Sequence, residues 1–509
     1  MTTTLDQIDP ALAWQPWEPT AAGPWGPKWA AHLFRRAAFG PSRDDLIEAE
    51  RLGPHGTLDL LCRGRPYAAE ALETLIDVGT IAAVDDEAGD QLRGWWLYCM
   101  LQGGHPLREK MTLFWHNHFA TSLVKVRDPA LMFRQNCLLR EHALGRFGPM
   151  LQAISRDAAM MIWLDSNSNL KGKPNENYAR ELMELFSLGV GHYTEKDVRE
   201  AARAFTGWRT DGDSFVFDTR SHDPGPKTFL GRTGAWDGGD VVRIVLEQPA
   251  AARFLVRKLY HFLVSENAVP PDRLLEPLCV SFRTSGYDIE ALVRTILASR
   301  HFYSGHAFRQ RVKGPVEYVV GGVQTVYRRY GENHPEYRSL PHRVLVSWLS
   351  SMGQRLFEPP NVKGWPGGTS WLNTSTTLAR DNFAGALAMG SLWSFEGPVS
   401  MAVTAAESTG AEQPADKPAR PPAPADAPEG PAPPLAFDPA RLLSEAGVSR
   451  PHAVVGALLD LYVPGDVRPD VRAKLIAFVS AGNPAGLALA RRVREATHAL
   501  MTIPEYQLA

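Results

Sequence analysis

Residues 175–208 read NENYARELMELFSLGVGHYTEKDVREAARAFTGW. At helical spacing Asn177, Arg180, Glu181 and Glu184 share one face, while Tyr178, Leu182, Leu185 and Phe186 occupy the opposite one. A second helix start follows at Thr194, whose side-chain oxygen can accept an orphan backbone N–H while Asp197 places an acid in the first turn. Outward from this stretch, Ser42 and Asp45 repeat the same loosened capping box. Pro106, ahead of LREKMTLFWHNHF, suits a helix's first position, where its missing N–H costs nothing. Apolar residues recur at helical spacing through most of the chain, and strand signals are sparse. The alternating run Ser214 to Phe217 predicts a strand or hairpin edge. The expected fold is mainly α: a multi-helix globular body with few short strands or hairpins.

Composition narrows the function classes. The chain has 509 residues, 54 Lys plus Arg against 56 Asp plus Glu, a net charge of -2 and 44% hydrophobic residues. No global field steers such a chain onto nucleic acid or anionic lipid, so neither partner is expected. The 4 cysteines, Cys62, Cys99, Cys137 and Cys279, form no CxxC pair and no disulfide framework. The opening MTTTLDQIDPALAWQPWEP lacks a basic and then apolar leader pattern, and the Arg35–Arg36 pair precedes charged helical sequence. A cytoplasmic location is therefore expected. No stretch reaches the roughly 20 apolar residues that a membrane helix needs.

Four segments are predicted along the chain. Residues 1–27 form an N-terminal extension and 28–404 a helical domain. Residues 405–436, rich in Ala and Pro, read as a disordered linker. Residues 437–509 regain helical periodicity but are short for an independent core, so they are expected to dock on the main body.

Chemistry-bearing side chains gather in four places. In Phe114–Phe119, FWHNHF, His116 and His118 can ligate a metal or move protons. Residues two apart in a helix point about 200° apart, so both reach one ion only where the helix ends or turns irregular. The alternative is one hydrogen-bonded core histidine and one near the surface. Glu181 and Glu184 form a carboxylate pair suited to a cation or to acid–base work; the alternative is a solvated face with a Glu176–Arg180 ion pair. The loop Ser221–Lys227, SHDPGPK, exposes His222, Asp223 and Lys227, although Asp223 can equally shape the turn. The run EPPNVKGWPGGTSWLN from Glu358 carries Asn361, Trp365 and Trp371, whose flat faces and amides suit sugar rings. The competing reading makes the two indoles plugs that fasten the loop.

Taken in order, HLFRRAAFGPS, FWHNHF, NENYARELMELFSLGVGHYTEKDVREAARAFTGW, HDPGPKTFLG, SGYDIEALVRTILAS and MGQRLFEPPNVKGWPGGTSW resemble the hallmark segments of the bacterial DUF1800 family from about Ala31 onward. The family is of unknown function. The resemblance implies a helical fold and frequent pairing with DUF1501 proteins, which are similar to sulfatases and alkaline phosphatases. Many members carry export signals, which this sequence does not show. The motif positions are His116, His118, Asn175, Glu176, Arg180, Glu181, Glu184, His222, Asp223, Lys227, Asn361, Gly364 and Trp365.

Two functions are then expected in competition. The first is a metal-dependent hydrolytic or oxidative enzyme acting on a polar, sugar-like or anionic substrate. His116, His118, Glu181, Glu184 and His222 would hold a divalent ion (Zn, Mn or Fe), with Glu181, Glu184, His222 and Asp223 catalytic. Arg180, Lys227, Asn361, Trp365 and Trp371 would bind the substrate. The second is a non-catalytic scaffold or chaperone for a DUF1501-type partner. In that case the polar residues form an internal network, with Glu181 and Glu184 paired to Arg180, Arg199 or Arg203.

Overall fold

A computed structural model describes residues 4–21, 23–84, 89–326, 342–392, 439–465 and 467–509; the linker expected at 405–436 lies outside them. Helices dominate, and their starts follow local chemistry. Ser42 Oγ accepts the Asp45 amide at 3.1 Å while Asp45 accepts the Ser42 amide at 2.9 Å, opening the helix Arg43–Arg63. Thr194 and Asp197 repeat the exchange at 3.2 and 2.9 Å, opening Glu195–Ala204. Pro106 begins Pro106–His118, where His105 Nδ1 accepts the Arg108 amide at 3.3 Å. Each cap satisfies donors that the first helical turn leaves without partners.

Among the described residues, two hairpins interrupt the helices. Ser214–Phe217 is a strand, as its alternation predicts, and pairs antiparallel with Trp208–Asp211. Lys227–Phe229 pairs with Arg232–Gly234 across a two-residue turn in which Leu230 has φ 46° and Gly231 φ 79°. Positive φ at both positions matches the right-handed twist of a tight hairpin.

Two large apolar cores fill the body. One gathers Met111, Trp115, Phe147, Phe186, Leu255 and Tyr260. The other gathers Trp96, Leu113, Tyr318, Phe357, Phe383 and Leu459. Pro106–His118 runs between them, which is why almost every one of its side chains is buried. The C-terminal helices Pro451–Tyr462 and Gly486–Thr502 join the second core through Val454, Leu458, Val493 and Met501. Arg35 Nη2 donates to Tyr462 O at 2.8 Å, and Val312 bridges to Leu508.

The same central helix carries charge into the interior. Lys110 pairs with Glu317, which Arg311 Nη1 also reaches at 3.1 Å. Burial alone would raise the Glu317 carboxyl, but Arg311 and Lys110 overcome it and hold the group well below the ordinary glutamate range. Among the described residues, no helix is long and apolar enough to cross a membrane.

Candidate functional site

The helix that opens at Asn177 changes register midway. Asn177–Glu181 is α-helical, but Leu182–Ser187 forms a π-turn in which Leu188 N bonds Met183 O, five residues back, at 2.9 Å. The wider turn lets the neighbours Leu182 and Met183 both enter the core with Phe186. The unbroken 3.6-residue register expected here is thereby corrected: Met183 takes the buried place, and Leu185 is only partly buried. Such turns are rare and recur at functional sites. Glu181 stands at its entrance and Glu184 inside it.

Glu181 is half-buried. Burial, and then the neighbouring Glu184, push its carboxyl above the ordinary glutamate range, while Lys363 and Arg180 oppose the rise. Glu184 accepts a hydrogen bond from Tyr193 Oη at 3.0 Å. The charge of Lys363, from a remote loop, is felt at Glu181. Asn361 Oδ1 accepts the Lys363 amide at 2.8 Å and Asn361 O accepts the Gly364 amide at 3.0 Å, a tight turn that leaves the lysine exposed. Asn361 thus shapes the turn. Arg180, expected to bind substrate, is already committed: both Nη atoms reach Glu195 at 2.8 Å, and Nη2 reaches Glu176 at 3.0 Å.

The two histidines diverge, as their spacing requires. His116 lies against Trp96, Phe357 and Trp365, and its Nε2 accepts the Phe357 amide at 3.2 Å. His118 lies among Phe114, Trp115, Phe119 and Phe186, and its Nε2 donates to Phe186 O at 3.0 Å. Burial pushes His116 down to about 3 and His118 well below the usual imidazole range, with Lys258 adding to the latter. Both are core residues, so neither the shared-ion reading nor a surface histidine holds. Between them Asn117 Oδ1 accepts the Trp365 amide at 2.7 Å and Asn117 Nδ2 donates to Trp365 O at 3.3 Å. Gly364 is obligatory beside it: φ is 79°, and an added Cβ would stand 2.2 Å from Asn117 Oδ1.

Trp365 and Trp371 are plugs. They are 7% and 8% exposed and pack with Val312, Leu372 and Leu508, so their faces are covered and no sugar platform is presented. His222, Asp223 and Lys227 make a third, separate cluster folded onto the end of Glu195–Ala204. His222 Nδ1 donates to Thr206 O at 2.8 Å, Arg203 Nε donates to Asp223 Oδ2 at 2.8 Å, and buried Lys227 donates to Asp223 O. Arg203 holds Asp223 below the ordinary aspartate range. Its other carboxylate partner among the described residues is Glu200, so Arg203 pairs there with neither Glu181 nor Glu184.

The expected donor set of His116, His118, Glu181, Glu184 and His222 is therefore not assembled. Among the described residues no group of three or more His, Cys, Asp or Glu side chains is placed to hold a metal ion. What the structure does bring together is Glu184 with Tyr193, beside Glu181 and within electrostatic reach of Lys363. A nearby cavity lined by Ser155, Asn169, Asn175 and Tyr178 offers only about 10 Å³, scarcely room for one water.

A family model described as a protein of unknown function, DUF1800, matches residues 32–508. The chain belongs to the DUF1800 family. No curated protein and no solved structure matches it. In this DUF1800 protein, sequence reasoning missed Lys363 and Tyr193. Each had a local signal: Lys363 sits inside an Asn-initiated turn, and Tyr193 immediately precedes the Thr194 cap.

Proposed function

We propose that this DUF1800 protein is a hydrolytic enzyme whose working group is the Glu181 carboxyl, acting with Glu184 on a polar substrate. The observation that carries the reading is the half-buried Glu181 beside a second carboxylate, on a π-turn, faced by an exposed lysine from a distant loop. A carboxyl that keeps its proton to higher pH can deliver it to a leaving group, while its neighbour can take one from water. Lys363 suits an anionic or partly negative oxygen of the substrate. The buried histidines and tryptophans act only by fixing the walls.

A second reading, a non-catalytic scaffold for a DUF1501-type partner, draws support from how the remaining motif residues are used. His116, Asn117, His118, His222 and Lys227 direct their polar atoms to backbone groups, as a packing network does.

The test pairs a titration with a screen. Glutamate carboxyls of ¹³C-labelled protein are followed with pH, and chromogenic glycosides with phosphate, sulfate and carboxylate esters are offered to wild type and Glu181→Gln. The enzyme reading expects Glu181 to titrate above ordinary glutamates, and turnover to vanish in Glu181→Gln while the fold, read by circular dichroism, is kept. Ordinary titration, or turnover indifferent to Glu181→Gln, defeats it in favour of the scaffold.

A further inference from the structure

A helix that ends in a π-turn has a donor shortage at its exit. The last carbonyls of any helix lack intrahelical amides. Here the shortage is sharpened, because Leu188 N and Gly189 N both bond to Met183 O, at 2.9 Å each. Ser187 Oγ turns back to Leu182 O. Glu184 O, Leu185 O and Phe186 O, next in line, receive no backbone amide among the described residues.

Two side chains from other helices supply donors to the last two of these. His118, the last residue of Pro106–His118, donates from Nε2 to Phe186 O at 3.0 Å. Lys258, in the middle of Pro249–Leu263, reaches Leu185 O with Nζ at 3.5 Å. A carbonyl only accepts, so the His118 bond requires a proton on Nε2. His118 Nδ1 is buried among aromatic rings with no hydrogen-bond partner among the described residues, so Nε2 carries the ring's polar contact there. A cation near a helix C-terminus is also favoured by the exposed carbonyl dipoles.

We infer that His118 and Lys258 are positioning residues which together hold the π-turn open and so set the direction of the Glu181 and Glu184 carboxylates. This rests on the acid–base reading for its functional meaning, but its structural content stands on the two carbonyl contacts. Without those donors, the exit of the helix regains satisfied carbonyls most simply by closing to the α register. That closure returns Leu185 toward the core in place of Met183 and swings Glu184 away from Tyr193.

The experiment uses the full chain with four substitutions: His118→Leu and Lys258→Met remove the donors, while His118→Gln and Lys258→Arg keep them. Backbone exchange of the Leu188 and Gly189 amides is read by mass spectrometry. The Tyr193 ring carbon bearing oxygen is read by ¹³C NMR as a signature of its bond to Glu184. Donor removal should slow exchange of those amides severalfold, because in the α register each gains a carbonyl of its own instead of sharing Met183 O, and should shift the Tyr193 signal; donor-keeping variants should restore both. Folded His118→Leu and Lys258→Met proteins with wild-type exchange and signal would overturn the inference. Lys258 is only half-buried, so Lys258→Met decides the matter if His118→Leu does not fold. Neither readout depends on turnover. The clamp therefore fails on exchange and shift alone, and the acid–base reading fails on Glu181→Gln alone.

Discussion

Gly364→Ala should be strongly destabilising, and its cost can be built from the backbone penalty and the hydrogen bonds it breaks. Alanine at φ 79° carries the left-handed penalty of about 1–2 kcal/mol. The new Cβ would lie 2.2 Å from Asn117 Oδ1 and 2.5 Å from Asn117 O, backbone that cannot swing aside. Relief requires breaking the reciprocal Asn117–Trp365 pair, two hydrogen bonds at about 1 kcal/mol each, in a place where Trp365 is 7% exposed. The sum is about 3–4 kcal/mol. Hydrogen exchange of peptides covering the 361–371 loop should rise about a hundredfold or more, since each 1.4 kcal/mol is a factor of ten. Asn117→Ala alone should cost about 2 kcal/mol. The double variant should cost less than the sum, because the side-chain clash is already gone while the φ penalty remains. A Gly364→Ala protein within about 1 kcal/mol of wild type, or fully additive effects, would show that Asn117 does not pin this loop.

Other outcomes follow from the same contacts. Glu317→Gln leaves Lys110 buried without its anion and Arg311 with only Glu266 at 4.0 Å, and should cost about 3–5 kcal/mol, read by urea unfolding. Glu181 has a folded-state pKa raised above its unfolded value, so the folded state binds its proton more tightly and stability from this group is lost as pH rises through the folded value. Glu181→Gln should therefore gain in relative thermal stability on going from acid to neutral pH; a flat or reversed comparison contradicts the shift. Asp223 has the opposite sign, because Arg203 depresses it: its contribution is present above the unfolded pKa and lost as pH falls through the folded one. Asp223→Asn should accordingly be destabilised at neutral pH and converge on wild type in acid. Thr194→Ala removes the cap on the Asp197 amide and should cost about 1 kcal/mol.

The helix starts were legible because a cap is a local bargain between residues three apart, as at Ser42 and Thr194. The Trp208–Phe217 hairpin was half legible, through the alternation of its second strand. Its companion was hidden, since Leu230 at positive φ is a choice that sequence disfavours and tertiary packing imposes. The π-turn was illegible for a related reason: no periodicity announces that two successive residues, Leu182 and Met183, must both be buried. At FWHNHF the spacing correctly sent the imidazoles apart. What it could not show was that both directions lead inward, because the helix lies between two cores. The loop residues told even less, as Asp223 and Trp365 find their partners at Arg203 and Asn117, far away in sequence.

His116, Asn117 and His118 are consecutive, yet they grip Phe357, Trp365 and Phe186 respectively. Three strangers along the chain are thus indexed to a single turn of one rod. Inserting or deleting one residue upstream within that rod would rotate all three grips at once, so the helix should tolerate exchange of its outward letters far better than any change in its length.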